Sequence, residues 1–216
     1  MSGLAEILLE EGFTVTGSDS HETGLTDHLT DRGARVYYGQ RAANIEKEPG
    51  IDVVVYTAAI HEDNPEFMAV KEKGIPMLSR AELLGEMMRN YKQAVAVSGT
   101  HGKTTTSSML SCITCEGGLD PTIVVGGIVN NLGSNADNGK SDYVVAEADE
   151  SDGSFLKFHP YLAVITNIEN DHLDHYGSEE NIQAAFAKFV EQIKEDGKAI
   201  LCYDNAKVRA LGEKTG

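Results

Sequence analysis

The residues with the clearest chemical potential form a short turn near the middle of the chain. An apolar run, Val95-Ala96-Val97, leads into Gly99-Thr100-His101-Gly102-Lys103-Thr104, and a helical stretch follows from Thr105. Such a turn directs backbone N–H groups and the positive end of the helix dipole at a phosphate. Lys103 can reach the β- and γ-phosphates, and the Thr104 hydroxyl can bind Mg²⁺. The predicted ATP-binding residues are Gly99, Thr100, His101, Gly102, Lys103, Thr104 and Thr105.

This turn departs from the usual phosphate-loop pattern at one position. That pattern has a glycine six residues before the lysine, and Val97 stands there instead. Gly99 and Gly102 therefore flank a shorter turn. The alternative interpretation is a helix-capping turn in which the lysine is there by chance.

A cluster of carboxylates follows a second apolar run, Tyr143–Ala146. The sequence continues as Glu147-Ala148-Asp149-Glu150-Ser151-Asp152, at the strand end where α/β sheets collect ligand groups. Glu147 is the first acid after the apolar run, and Mg²⁺ prefers a few oxygen ligands. We therefore predict that Glu147 holds Mg²⁺ opposite Thr104; the alternative is a solvated acidic turn.

A third apolar run, Leu162–Thr166, leads into Asn167-Ile168-Glu169-Asn170-Asp171-His172. A histidine near aspartates can be a metal ligand or a tuned acid or base. Because His172 follows a strand of the same predicted sheet, we assign it a functional role rather than a structural one. His175 is interpreted as a surface residue. The residues alone leave open whether His172 is a metal ligand or an acid or base.

Apolar runs that alternate with helical stretches predict an α/β fold with largely parallel sheets. The predicted strands are Phe13–Gly17, Val36–Tyr38, Ile51–Thr57, Pro76–Leu78, Ala94–Val97, Thr122–Val125, Tyr143–Glu147, Leu162–Thr166 and Ala199–Tyr203. The predicted helices are 2–11, Leu25–Arg32, Pro65–Lys73, Arg80–Asn90, Thr105–Cys115 and Glu180–Glu195. The continuous run Asp52–Tyr56 predicts a strand covered on both faces. A domain boundary is predicted near residue 91, giving domains 1–91 and 92–216, and Gly126 to Ser141 is predicted to be a long loop.

The composition narrows the classes of partner. The 216 residues carry 18 Lys and Arg against 34 Asp and Glu, a formal charge of −16, which argues against nucleic acid. The chain has no long uncharged apolar run, so no membrane span is predicted, and its acidic start is unlike a signal peptide. These features favour a cytoplasmic protein. Cys112 and Cys115 have no second pair to complete a zinc site, so we predict ordinary helix packing for them.

Together these motifs resemble the Mur ligase family, which builds the peptide of bacterial peptidoglycan. The resemblance rests on the phosphate loop with its missing first glycine, on Glu147–Leu156 and on Thr166–His172. It extends to the first half through Gly17-Ser18-Asp19, Asn64-Pro65-Glu66 and similar short motifs. It implies a Rossmann-like domain for a UDP-sugar, then a P-loop central ATPase domain and a C-terminal domain that helps to bind the amino acid. By similarity, the predicted catalytic residues are Lys103, Glu147 and His172, and the predicted metal ligands are Thr104, Glu147 and His172. The substrate-binding residues expected by similarity are Ser18, Asp19, Arg80, Ser151 and Asp152.

The resemblance also implies a reaction. The sequences of the motifs are most similar to those of family members that join L-alanine to UDP-N-acetylmuramate. The resemblance implies that this reaction uses ATP and Mg²⁺ and passes through an acyl-phosphate intermediate. By comparison with the family, the first glycine-rich turn, the rest of the central domain and the C-terminal domain would lie outside this chain, which alone is expected to be inactive. Three alternatives stay open: a family member that attaches a recycled peptide to the same sugar, a non-catalytic nucleotide-binding module, and a dehydrogenase.

Overall fold

The structure is a computed structural model that describes residues 1–129 and 134–215. The chain divides into two compact units, Met1–Leu83 and Leu84–Gly216. This division lies inside a helix, Arg80–Met88, whose second half contains the fully buried Leu84 and Met88. The functional boundary expected near residue 91 remains a prediction.

The first unit contains four short parallel strands and the helices between them. Its elements are α1 (Ser2–Glu10), β1 (Thr16–Asp19), α2 (Gly24–Asp31), β2 (Arg35–Tyr38), α3 (Ala42–Glu46), β3 (Val54–Tyr56), α4 (Pro65–Lys73), β4 (Met77–Ser79) and the start of α5 (Arg80–Met88). The strands form two parallel pairs, β1 with β2 and β3 with β4. Helix α4 illustrates the local sequence signals, because the Asn64 side chain caps its first N–H groups and Pro65 stands in its first turn.

The second unit is built on a six-stranded sheet. Its elements are β5 (Gln93–Ser98), α6 (Lys103–Glu116), β6 (Thr122–Val129), β7 (Ser134–Asp137), β8 (Tyr143–Glu147), a 3₁₀ helix (Ser154–Lys157), β9 (Leu162–Ile165), α7 (Leu173–Tyr176), α8 (Glu179–Glu191), β10 (Lys198–Leu201) and α9 (Ala206–Thr215). The strand order is β10-β9-β5-β8-β6-β7, and every pair is parallel except β6 with β7. Because β5 lies between β9 and β8, the loops that follow these three strands meet at one edge of the sheet.

Burial explains why these central strands are positioned firmly. Ala94, Ala96 and Val97 of β5 have no exposed surface, so this strand is covered on both faces. Three phenylalanine rings, Phe155, Phe186 and Phe189, stack edge-on or tilted at centroid distances of 5.0–5.2 Å beside the sheet. The predicted helix packing of the two neighbouring cysteines is confirmed, because Cys112 and Cys115 of α6 pack against buried residues of β6.

Three sequence predictions about the elements are wrong in part. The region from Gly126 to Ser141 is not one long loop, since β6 continues to Val129 and β7 pairs with it; residues 130–133 lie outside the described residues. Two glycines within β6 and a polar β7 concealed this hairpin, because neither has strand propensity. Strand β1 begins at Thr16 rather than Phe13, which is 62% exposed. Strand β3 is not covered on both faces, because all its residues are partly exposed in a two-stranded sheet.

The sequence prediction also missed short elements, namely α3, α7 and the 3₁₀ helix. Each is only four or five residues long, too short for a 3.6-residue periodicity to be visible. In the ranges 1–129 and 134–215, no helix combines the length and the apolar character that a membrane crossing needs.

Candidate functional site

The phosphate loop lies between the end of β5 and the start of α6. Gly99 has φ +133°, and a Cβ atom there would lie 2.1 Å from the Oγ1 atom of Thr166, so only glycine fits this approach. Gly102 has φ +82° and is the residue before the first turn of α6. Val97 belongs to β5 and is fully buried. The glycine absent from position 97 is therefore not needed for the turn, which begins only at Gly99.

Two of the loop N–H groups do not point at a phosphate, contrary to the sequence prediction. The N–H of Thr100 donates to the backbone oxygen of Asn167 (3.1 Å), and that of His101 donates to the Asn167 Oδ1 atom (2.9 Å). The N–H groups of Gly102, Lys103, Thr104 and Thr105 donate to no such acceptor among residues 1–129 and 134–215. They open α6, a helix of 14 residues, and so form the part of the loop that can bind an anion.

Lys103 lies against a buried carboxylate. Its Nζ atom is 3.0 Å from Oε1 and 2.9 Å from Oε2 of Glu150, and Oε1 takes the hydrogen bond. Nζ also donates to the backbone oxygens of Gly99 (2.9 Å) and Thr100 (3.4 Å). The Glu150 side chain is 2% exposed and that of Lys103 is 14% exposed, so the pair is shielded from water. These contacts hold the ammonium group against the backbone of the loop.

The position of Glu150 is also fixed by a hydrogen bond to its main chain. Its backbone oxygen accepts a 2.5 Å hydrogen bond from the hydroxyl of Tyr176 in α7. Burial raises the pKa of Glu150, and the bond from Lys103 opposes this shift. Burial, followed by the charges of Glu150, Asp152 and Asp149, raises the pKa of Tyr176 to about 12. The hydroxyl therefore stays protonated and able to donate at neutral pH.

Thr104 and Glu147 form the second part of the site. The Thr104 hydroxyl donates to Oε1 of Glu147 (3.0 Å), and the N–H of Gly126 donates to Oε2 of the same carboxylate (2.8 Å). A Cβ atom at Gly126 would lie 2.8–2.9 Å from those carboxylate oxygens. A hydroxyl and a carboxylate oxygen are ligands that Mg²⁺ prefers, and the glycine leaves them room. These residues fit the predicted magnesium site.

His172 lies near the lysine pair. Its Nε2 atom is 3.9 Å from Oε1 of Glu150, and its backbone has φ +56° at the start of α7. Across the described ranges, no group of three or more His, Cys, Asp or Glu side chains could hold a metal ion. The role of His172 as a metal ligand remains a prediction.

The predicted sugar-binding residues of the first unit are engaged in local hydrogen bonds. The Ser18 hydroxyl donates to Oε2 of Glu66 (2.5 Å), and Oδ1 of Asp19 accepts from the N–H of His21 (3.2 Å). Arg80 is the first residue of α5. The pKa of the Met1 amino group is lowered mainly by burial and, to a smaller extent, by the positive charge of Arg80. The sugar-binding role of these residues remains a prediction.

Ser151 and Asp152, in the second unit, lie in the turn between β8 and the 3₁₀ helix. The Ser151 N–H donates to Oδ1 of Asp149 (3.1 Å), and Oδ1 of Asp152 accepts from the Ser154 N–H (2.9 Å). These bonds shape the turn that presents Glu150. Contact of Ser151 and Asp152 with a substrate also remains a prediction.

Sequence reasoning missed three residues that the structure places in the site. Glu150 is one of several acidic residues in its segment, and no local sequence pattern indicates that its side chain is buried. Asn167 was noted only as part of a motif, although both its side-chain amide atoms bond to His101. Gly126 was assigned to a loop, although its N–H holds the Glu147 carboxylate.

A loop of this kind at the edge of a parallel sheet, with a carboxylate and a hydroxyl beside it, is the arrangement typical of nucleotide-binding α/β proteins. Comparisons with known proteins are more specific. Residues 1–92 match the family model described as the Mur ligase family, catalytic domain, and residues 97–216 match the Mur ligase middle domain. The chain belongs to the Mur ligase family.

Curated relatives are similar over nearly all of this chain. UDP-N-acetylmuramate–L-alanine ligase of Novosphingobium aromaticivorans is 50% identical over 98% of the chain, and that of Acetivibrio thermocellus is 51% identical over the same share. This chain spans 44% of the length of each of these two relatives.

Solved structures agree with the fold. UDP-N-acetylmuramate-alanine ligase from Thermotoga maritima has a TM-score of 0.86 at 30% identity, covering 98% of this chain and 48% of its own. A UDP-N-acetylmuramate:L-alanyl-gamma-D-glutamyl-meso-diaminopimelate ligase from Neisseria meningitides has a TM-score of 0.89 at 30% identity. The match covers 99% of this chain and 71% of the ligase chain. The predicted α/β fold with largely parallel sheets is confirmed.

Proposed function

We propose that this chain forms the UDP-sugar-binding and ATP-binding parts of a ligase that joins L-alanine to the carboxylate of UDP-N-acetylmuramate. The observation that carries the proposal is the phosphate loop, in which Lys103 and four N–H groups without an acceptor among the described residues lie beside the Thr104–Glu147 pair. The identity of about 50% to curated alanine ligases supports the choice of amine.

The chemistry of the proposed reaction requires a site of this kind. The sugar carboxylate attacks the γ-phosphorus of ATP, the bond to the β–γ bridging oxygen breaks, and ADP leaves with that oxygen. The amine of L-alanine then attacks the acyl phosphate, loses a proton, and inorganic phosphate leaves. A carboxylate and a triphosphate repel each other, so the first step needs fixed positive charge. Lys103 and the N–H groups at the start of α6 supply this charge.

Mg²⁺ fits the oxygen ligands of Thr104 and Glu147. When bound, it would neutralise charge on the phosphates. The bond from the Gly126 N–H fixes the orientation of the Glu147 carboxylate whether or not a metal is present.

A second candidate function is the attachment of a recycled peptide to the same sugar. It is favoured by the TM-score of 0.89 to the ligase from Neisseria meningitides. The curated alanine ligases are more similar in sequence, at 50–51% against 30% identity, so we favour alanine.

The test measures phosphate release by the complete gene product that carries this sequence. We expect release only when MgATP, UDP-N-acetylmuramate and an amine are all supplied, with L-alanine preferred to the tripeptide L-alanyl-γ-D-glutamyl-meso-diaminopimelate. A preference for the tripeptide would favour the second candidate. MgATP binding without any turnover would favour a non-catalytic module, and hydride transfer to a nicotinamide cofactor would favour a dehydrogenase.

A further inference from the structure

The residues that follow β9, Thr166 and Asn167, hold the phosphate loop through four hydrogen bonds. The Asn167 side chain accepts from the His101 N–H at Oδ1 and donates from Nδ2 to the His101 oxygen, both at 2.9 Å. The Thr166 hydroxyl donates to that same oxygen at 2.7 Å. The backbone oxygen of Asn167 accepts the Thr100 N–H. Both polar groups of the His101 main chain are therefore bound to β9 and its following loop.

This arrangement decides where the next N–H group points. The carbonyl of His101 and the N–H of Gly102 belong to the same trans peptide, so they point in opposite directions. Two donors, Asn167 Nδ2 and Thr166 Oγ1, draw the His101 carbonyl toward β9. The Gly102 N–H must then point away from β9, and it has no acceptor among the residues that the structure describes. It joins the free N–H groups at the start of α6.

Without these donors the peptide would have another orientation available. Gly102 has φ +82°, and a glycine can also adopt a negative φ, so its backbone allows a rotated orientation of the preceding peptide. A rotated peptide would direct the His101 carbonyl, a negative dipole end, at the phosphates. It would also remove one N–H donor from them.

We propose that Asn167, assisted by Thr166, is a positioning residue that locks the His101–Gly102 peptide with its N–H directed at the phosphates of ATP. This inference rests on the proposed ATP site but not on which amine is ligated. Asn167 does not itself touch the nucleotide. Its effect passes through the backbone of the loop.

The sharpest test compares two asparagines in the same segment. Asn167→Ala removes both bonds to His101, whereas Asn170→Ala removes bonds only to Glu179 and Lys207, away from the loop. The complete gene product carrying each substitution is titrated with MgATP, and amide hydrogen exchange is measured at His101. Asn167→Ala is expected to weaken MgATP binding about tenfold and to speed exchange at His101, because two hydrogen bonds are lost. Asn170→Ala is expected to match the wild type in both.

Two further variants keep the test decisive. Asn167→Asp retains the acceptor for the His101 N–H but places a carboxylate oxygen against the His101 carbonyl, so it should weaken MgATP binding although its size is unchanged. Thr166→Val removes the other donor to that carbonyl and should act in the same direction, less strongly. If Asn167→Ala unfolds the protein, these two variants supply the comparison.

The outcomes separate this inference from the proposed function. If MgATP binding stays at the wild-type value in Asn167→Ala and Asn167→Asp, and His101 exchange is unchanged in Asn167→Ala, while Lys103→Ala loses binding, the positioning role is wrong and the ATP site stands. If the wild type does not bind MgATP, the proposed function fails. In that case, unchanged His101 exchange in Asn167→Ala would also overturn the lock.

Discussion

At the scale of single residues, the main feature is the ion pair of Lys103 and Glu150. Glu150 is 2% exposed, and its raised pKa reflects the cost of holding a charge away from water. Removal of one partner of such a pair leaves the other charge buried without compensation. The lysine predicted to bind phosphate therefore also affects folding stability, and the two effects must be separated in any mutant.

We expect Lys103→Ala to lower the free energy of unfolding by about 3 kcal/mol, as is typical when a buried pair loses one partner. The double variant Lys103→Ala/Glu150→Gln should recover at least half of this loss, because no buried charge is left alone. Urea unfolding measures both. MgATP binding should be lost in both variants, which would separate the role in binding from the role in folding.

Lys92→Ala is the matched control for this experiment. Lys92 and Asp142 lie 2.6 Å apart, but their side chains are 78% and 54% exposed. An exposed pair contributes less than about 1 kcal/mol. A Lys103→Ala protein no less stable than Lys92→Ala would contradict the importance of the buried pair.

At the scale of elements, the site depends on the close approach of strand ends. Glu147 is the last residue of β8, and the neighbouring strand β6 brings the Gly126 N–H to its carboxylate. Gly127, the next residue of β6, also faces the site, since a Cβ atom there would lie 3.0 Å from the Cγ2 atom of Thr104. Gly126 and Gly127, in the middle of β6, therefore form one wall of the site, where there is little room for side chains.

Gly126→Ala should displace the Glu147 carboxylate from Thr104 and weaken MgATP binding about tenfold, the effect of losing one hydrogen bond to a charged group. The fold should tolerate the change, because the atoms that the new Cβ meets are the flexible end of Glu147. Isothermal titration with MgATP measures the first effect and thermal unfolding the second.

Gly24→Ala provides the control, because a Cβ atom at Gly24 meets nothing within 4 Å. Its MgATP affinity should equal that of the wild type. Wild-type affinity in Gly126→Ala would argue against a role for the Thr104–Glu147 pair in holding the metal.

At the scale of the whole molecule, the main electrostatic feature is the formal net charge of −16. Like charges repel more strongly in the compact state, and dissolved salt screens that repulsion. The same negative field would oppose the approach of a nucleotide, so we expect binding to depend on the local positive charge of Lys103 and the N–H groups of the loop. The net negative charge is therefore expected to lower both the free energy of unfolding and the affinity for a nucleotide.

We expect the urea midpoint of unfolding to rise when NaCl is increased from about 20 mM to about 300 mM, because the screening length becomes shorter. KCl at equal ionic strength should give the same rise, since screening does not depend on the identity of the ion. A midpoint that falls with salt would mean that favourable ion pairs outweigh the net repulsion.

Much of the site was predictable because its signals are local. The buried runs of β5, β8 and β9 and the glycines around Lys103 could be read from the sequence, and a parallel sheet places the ends of such strands at one edge. The amino-acid sequence alone therefore determined the phosphate loop, the pairing of Thr104 with Glu147 and the family.

The tertiary structure alone decided which partners those residues have. Lys103 meets Glu150, 47 positions away, and His101 meets Asn167, 66 positions away. These contacts depend on the strand order that places β5 between β9 and β8. Apolar periodicity indicates that a strand is buried but not which strand lies beside it, so neither the buried ion pair nor the locked peptide has a signal in the sequence.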